Sequence, residues 1–232
     1  MNSKIQTALA YGAYELKGQF MLGSNYTFLV DVHHEGQTCQ AVYKPSKGEQ
    51  PLWDFPESTL ALREVAAYQL SEALGFPFVP FTIHRDDGPY GPGSLQQYIN
   101  YDVEYHYFTF TPGDKQKLRP VVLFDLLANN ADRKGSHIFF EDETQKLFAI
   151  DHGICFHEED KLRTVIWDFA GQPIPDELLA PLSQTDNWPD LFEQYLSPRE
   201  ISALLIRAER ICATREFPRP LQGRRAYPYP PV

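Results

Sequence analysis

The stretch from Asn129 to Gly153 constrains the fold more than any other. It reads Asn-Asn-Ala-Asp132-Arg133-Lys134-Gly135-Ser136-His137, then two short apolar runs, Ile138–Phe140 and Leu147–Ile150, separated by the charged turn Glu141–Lys146, and it closes on Asp151-His152-Gly153. Apolar runs of this length around a polar turn predict a β-hairpin. Folding the hairpin brings Asp132, ahead of the first strand, close to Asp151, behind the second. Two carboxylates on one rim suit phosphoryl transfer, in which one orients the attacking hydroxyl and the other holds a metal on the nucleotide phosphates.

The rest of the chain divides around this stretch. Tyr11–Phe20 and Asn25–Val32 predict two strands joined by the turn Gly23-Ser24-Asn25. Glycine there admits close approach of a ligand to backbone, with Ser24 and Asn25 as further donors; a plain hairpin turn is the alternative. Gln40–Lys44 predicts a third strand, ended by Pro45. Lys44 would emerge at the sheet end, either toward phosphates or into solvent. A helix is expected over Thr59–Leu74, stopped by Gly75, with Leu60, Glu64, Ala67, Ser71 and Leu74 on one face. A carboxylate on that apolar stripe needs a cation if it is buried. Lys44 is the strongest partner, Arg63 being turned away by its adjacent position; a place at the stripe's edge in water is the other reading.

Phe78–Arg85 and Ser94–Asn100 predict two more strands across the turn-rich Asp86–Gly93. Glu104–Phe110 is aromatic and β-prone but has no assigned place. Lys115–Ala128 shows helical spacing, with Pro120 tolerable only in a first turn. Pro175–Leu182 predicts a short helix. Pro198–Thr214 predicts a long one, capped by Ser197 with Glu200 completing a capping box. Phe217–Val232, rich in Pro, Arg and Tyr, reads as an extended tail, disordered or lying on the surface.

Composition narrows the function. A formal charge of −10 argues against nonspecific nucleic-acid binding and against tight docking on anionic lipid. No apolar run is long enough to cross a bilayer, and the N-terminus lacks a signal-peptide pattern. Three widely spaced cysteines suit a reducing cytoplasm and suggest neither a disulfide framework nor a zinc site.

Taken in order, the features are a phosphate turn, a strand lysine, a helix glutamate, a hinge, an Asp-Arg loop, a strand pair and an Asp-x-Gly. Over roughly residues 15–215 this resembles the phosphatidylinositol 3-/4-kinase-like branch of the kinase superfamily. The likeness lies in Tyr43-Lys44-Pro45, Arg63-Glu64-Val65-Ala66-Ala67-Tyr68 and Ala149-Ile150-Asp151-His152-Gly153. It is most similar to a compact bacterial group related to type II phosphatidylinositol 4-kinases, and more distantly to HipA-type serine kinases. The resemblance implies an α+β, bilobed protein-kinase-like fold, with a β-rich N-lobe carrying one helix (residues 1–100), a small, mainly helical C-lobe (101–216) and the tail (217–232). It implies ATP and a divalent cation, Mg2+ or Mn2+, between the lobes, and transfer of the γ-phosphoryl group to a hydroxyl acceptor. By the same resemblance Gly23, Ser24, Asn25 and Lys44 would face the phosphates. Gln97, Tyr98 and Ile99, with the backbone running to Asn100, would face the adenine. Glu64 would position Lys44, Asp132 would face the acceptor and Asp151 would bind the metal.

Two departures from the family pattern matter. Lys134 stands where the family has a histidine, and His137 where it has a metal-ligating asparagine. Imidazole suits manganese and other transition metals better than magnesium. His152 replaces the phenylalanine of Asp-Phe-Gly and is expected to pack or hydrogen-bond, since its side chain points away from the Asp151 side. The acceptor is a protein, a small alcohol or an inositol lipid. The acidic run His157–Lys161 after Asp151 places protein or small-molecule acceptors slightly ahead of lipid. The competing readings are a nucleotide-binding pseudokinase, transfer of a nucleotidyl group by the same fold, and a metal hydrolase built from Asp151, His152, His157 and His137, which lacks a ligand spacing such as H-E-x-x-H.

Overall fold

The computed structural model describes residues 3–20, 25–220, 223 and 225–232. An α+β fold results, as expected, with an antiparallel sheet in the N-terminal part and helices in the C-terminal part. The sheet contains β1 (Ala13–Gln19), β2 (Phe28–His34), β3 (Gln37–Pro45), β4 (Thr82–Gly88) and β5 (Gly91–Gln97), in the order β1-β2-β3-β5-β4. Alternation creates its inner face: Phe28, Val30 and Val32 of β2 and Ala41 and Tyr43 of β3 are buried. Helix α1 (Ser3–Tyr11) covers that face with Leu9. No element was expected before Tyr11.

Helix α2 (Leu60–Ala73) follows β3. Thr59 gives it no side-chain cap; instead Glu49, from the preceding loop, accepts the amides of Leu60 and Ala61 at 3.2 and 2.9 Å. A residue distant in sequence thus satisfies two of the orphan donors of the first turn.

The expected helix over Lys115–Ala128 is two helices, α3 (Pro112–Gln116) and α4 (Arg119–Ala128). Thr111 caps the first through Asp114, and Pro120 lacks the amide needed to carry a hydrogen-bond ladder from one into the other. Helix α4 is buried nearly all round and ends at Asn129 in the left-handed region, φ 52°. Asn129 Nδ2 then donates to the carbonyls of His157 and Glu159, and its Oδ1 accepts from the Lys161 amide. That side chain holds the segment following Asp151.

The β-prone run Glu104–Phe110 forms turns rather than a strand. Its aromatics are engaged elsewhere: Tyr105 Oη donates to Asp114 and Tyr107 Oη to Asp168, each at 2.6 Å. The hairpin forms as expected, from β6 (Ile138–Phe140) and β7 (Leu147–Ala149). Three helices follow: α5 (Asp176–Leu179), α6 (Trp188–Phe192), which had no sequence assignment, and α7 (Pro198–Thr214). The main core joins α2, α4, α6, α7 and the hairpin through residues such as Leu70, Phe124, Ile138, Phe192 and Leu204.

The α7 capping box is present as the sequence predicts, with Ser197 accepting from the Glu200 amide and Glu200 from that of Ser197. Glu200 is also paired with the buried Arg63 of α2. Ser197→Ala should lower unfolding free energy by about 1 kcal/mol, a Tm drop of about 2–4 °C at this chain length, read by calorimetry.

Candidate active site

Lys44, at the end of β3, is the hub of a charged cluster. Its Nζ lies 2.5 Å from Glu64 Oε1 and 3.0 Å from Asp151 Oδ1. Glu64 is buried in α2 and also accepts the His152 amide at 3.0 Å. Lysine and glutamate are 20 positions apart, lysine and aspartate 107, so sheet, helix and hairpin must all be in place to build the cluster. Burial disfavours the Lys44 charge, but Asp151 and Glu64 outweigh it and hold the ammonium above the ordinary lysine range. Burial likewise opposes ionisation of Asp151, yet Lys44 and then His137 pull its carboxyl well below the usual range. Nearly half of the Asp151 side chain, 48%, still faces the open cleft. Its backbone is left-handed, φ 62°, a conformation aspartate tolerates better than most residues.

His137 closes the other side of Asp151, Nε2 to Oδ2 at 3.2 Å. Burial, reinforced by the cations Arg133, Lys134 and Lys44, outweighs the pull of Asp151 and lowers its pKa to about 4. The ring is therefore neutral near pH 7 and keeps a lone pair for a ligand. Its Nδ1 is buried without a hydrogen-bond partner. A neutral imidazole beside an ionised carboxylate fits a divalent cation, and this mixed N,O pair suits manganese better than magnesium. Among the described residues, the cluster of three side chains closest to metal-ligand geometry is elsewhere: Glu15, Asp31 and His33. Lys17 already pairs with both carboxylates there, and His33 is bonded to Glu15 and Thr38, so that cluster is an ion-pair network on the sheet.

Asp132 lies on the loop ahead of β6, beside Lys134. Burial raises its pKa; the Lys134 ammonium, 3.3 Å away, lowers it and the Asp151 charge raises it, for a net upward shift. A carboxylate shifted upward is better able to take a proton from a hydroxyl.

The loops carrying these groups are fixed by a residue to which the sequence reading gave no role. Arg133 is fully buried and forms a bidentate pair with Asp125 of α4, at 2.9 Å. It also donates to the carbonyls of Ile150 (2.9 Å) and His137 (3.4 Å) and lies 2.7 Å from His152 Nε2. His152 is thus buried and bonded away from the cleft, its ring against Phe124, in line with the expected packing role. The signal for this clamp was available: Asp125 sits on the apolar stripe of its helix and so requires a buried cation.

The remaining predicted site residues are placed as follows. Gly23 and Ser24 lie outside the described residues. Asn25 does not offer its oxygen to the cleft; Oδ1 accepts the Gln50 amide at 2.7 Å. The amides of Gln97 and Tyr98 donate to the carbonyls of Phe81 and Gln40, so two of the three residues expected at the adenine have their amides bonded within the protein. Ile99 is buried against Phe139 and Phe148, with Tyr101 and Ile150 beside them, an apolar group running up to Asp151. A polar recess of about 200 Å3 lies between loop 46–58 and the start of α2. Neither Lys44 nor Asp151 lines it, so it is separate from the charged cluster.

Over 96% of its length the chain is 36% identical to protein Rv2133c of Mycobacterium tuberculosis, covering 93% of that protein. The chain belongs to the Rv2133c family. No protein-family model matches the sequence. Among solved structures it is similar to the Helicobacter pylori proinflammatory kinase CtkA (TM-score 0.58, 12% identity, 89% of this chain and 94% of that one). It is also similar to the Golgi casein kinase with Mn/ADP bound (TM-score 0.60, 15% identity, 99% and 80%) and to hydra Fam20 with sugar (TM-score 0.53, 14% identity, 92% and 88%). At these identities the likeness establishes a protein-kinase-like fold shared with atypical kinases.

The clamp makes two predictions. Arg133→Met should cost about 3–5 kcal/mol in urea unfolding, because it strands the Asp125 charge in the core. The double variant Asp125→Leu/Arg133→Met should recover part of that loss.

Proposed function

We propose that this member of the Rv2133c family is an ATP-dependent phosphotransferase of the atypical kinase type, nearest in kind to the phosphatidylinositol 3-/4-kinase-like branch. The observation that carries the reading is the Lys44 ammonium held between Glu64 and Asp151 at the meeting of sheet and helical part. In a kinase the corresponding groups bind phosphates and metal. The fold shared with atypical kinases supports the reading, and one of those structures holds Mn/ADP. The division into lobes at residues 1–100 and 101–216, with the tail at 217–232, is part of the same proposal.

Each residue then has a task. Lys44 contacts phosphate oxygens, and Glu64, through a short ion pair, fixes where the ammonium points. Asp132 accepts the proton of the acceptor hydroxyl as its oxygen bonds to the γ-phosphorus and the bond to the bridging oxygen breaks, releasing ADP. Lys134, beside Asp132, offers positive charge where the transferred group carries negative charge. Asp151 and His137 would hold Mn2+ or Mg2+. The metal, when bound, neutralises charge on the phosphates. Ile99, Phe148 and Ile150 supply an apolar surface for a planar base.

Transfer of label from γ-labelled ATP to protein or lipid acceptors tests the proposal. Asp151→Asn should abolish transfer, and Asp132→Asn should lower it about 10²–10⁴-fold with nucleotide affinity kept. Nucleotide binding that survives with no transfer under any metal would instead favour the pseudokinase reading, to which the His137 replacement lends weight.

The metal preference is separately testable. ATP should raise the melting temperature more with manganese than with magnesium, and His137→Asn should shift the preference toward magnesium. Equal responses to both metals in wild type and variant would contradict the ligand assignment.

A further inference from the structure

The C-terminal segment runs along the face of the Asp132 loop. Arg133 is bridged to the segment around Thr164: its amide donates to the Arg163 carbonyl and its own carbonyl accepts from Val165. On the far side of that segment the Thr164 amide donates to the Ala226 carbonyl at 3.1 Å, joined by Trp167 Nε1 at 3.3 Å. Five residues further on, the Pro231 carbonyl accepts the Gly135 amide at 2.8 Å. Between these anchors Pro228 is buried, while Tyr227 and Tyr229 are exposed. The floor is closed by Phe108, whose ring packs on Gly135 so closely that a Cβ there would meet it at 2.6 Å.

These anchors are placed around Asp132. The two cations that lower its pKa are Lys134 and Arg163. The residue after each of them, Gly135 and Thr164, is the one whose amide binds the segment. Both contacts are main-chain donors meeting main-chain carbonyls, a mode that recognises extended peptide whatever its sequence. Residues 217–232 contain three arginines and no acid, and the chain carries −10, so residues 1–216 carry −13. The segment also contains neither serine nor threonine, so it presents no aliphatic hydroxyl for transfer.

We propose that the phosphoryl acceptor is an extended polypeptide held by the amides of Gly135 and Thr164, and that Arg225–Val232 is a resident occupant of that groove. This rests on the kinase reading above. The segment competes with acceptors from within the chain, at an effective concentration that on tethering reaches about millimolar. Removing it opens the groove without touching Lys44, Asp132 or Asp151.

The test compares the full chain, a chain ending at Gly223, and full-length Pro228→Asp, which puts a charge at the buried anchor. The probe is a fluorescein-labelled peptide with the sequence of residues 225–232, followed by anisotropy; manganese–ATP binding is followed in parallel by thermal shift. The shortened chain should bind the peptide at least tenfold more tightly than the full chain. Pro228→Asp should move in the same direction, and ATP affinity should be alike in all three. A second peptide carrying Tyr229→Ser should accept label from γ-labelled ATP faster from the shortened chain. Equal peptide affinities with ATP binding intact would overturn the groove and leave the kinase reading standing. Label passing to phosphatidylinositol vesicles and not to the serine peptide would overturn the polypeptide acceptor. Absence of ATP binding in the full chain would remove the kinase reading itself.

Discussion

The buried ion pair between Arg133 and Asp125 is the interaction on which the rest of the site depends. A guanidinium withdrawn from water must have its charge answered and its N–H groups satisfied, and here one carboxylate, two carbonyls and an imidazole do both. Those acceptors belong to helix α4, the end of the Asp132 loop, the residue after β7 and the residue after Asp151. One side chain therefore sets the distance between the loop carrying Asp132 and the turn carrying Asp151. The net worth of such a pair against an apolar replacement is small, so its value lies in the geometry it imposes.

A second tie works between the two halves of the molecule. Lys44 comes from the sheet, Glu64 from the helix packed on it, and Asp151 from the hairpin. Glu64 is joined to that hairpin by the His152 amide as well, and the neighbouring Arg63 reaches the Cys155 carbonyl and Glu200 of α7. Successive residues of α2 thus point their charges at different partners, one at the cleft and one at the C-terminal helices. The start of that helix is held from outside by Glu49, so the loop after β3 also helps fix the Lys44–Glu64 distance.

Much of this was legible in the sequence because it rests on local rules. Apolar-rich runs mark β2 and β3, the capping box marks α7, and a carboxylate on an apolar stripe points to the Lys44–Glu64 pair. The legible part ends where tertiary context overrides local preference. Glu104–Phe110 has strand composition, but Tyr105 and Tyr107 find carboxylates in place of a partner strand. The turn composition around Asn25 suits a ligand donor or a plain turn, and the loop at Gln50, 25 residues on, takes its oxygen. Arg133 carries no local signal of its own; its place follows from Asp125, which lies on the apolar stripe of its helix and requires a buried cation. The tail could be read only as extended; its place on Gly135 and Thr164 depends on backbone amides that composition does not reveal.

In the proposed enzyme Lys44 and Asp151 serve the same nucleotide in one cleft. A crystal structure with manganese and a non-hydrolysable ATP analogue, recorded with anomalous scattering, tests it most directly. The account predicts a manganese peak bonded to the Asp151 carboxylate and His137 Nε2, with the triphosphate reaching Lys44. A manganese peak remote from Asp151, or a triphosphate bound away from Lys44, would contradict it.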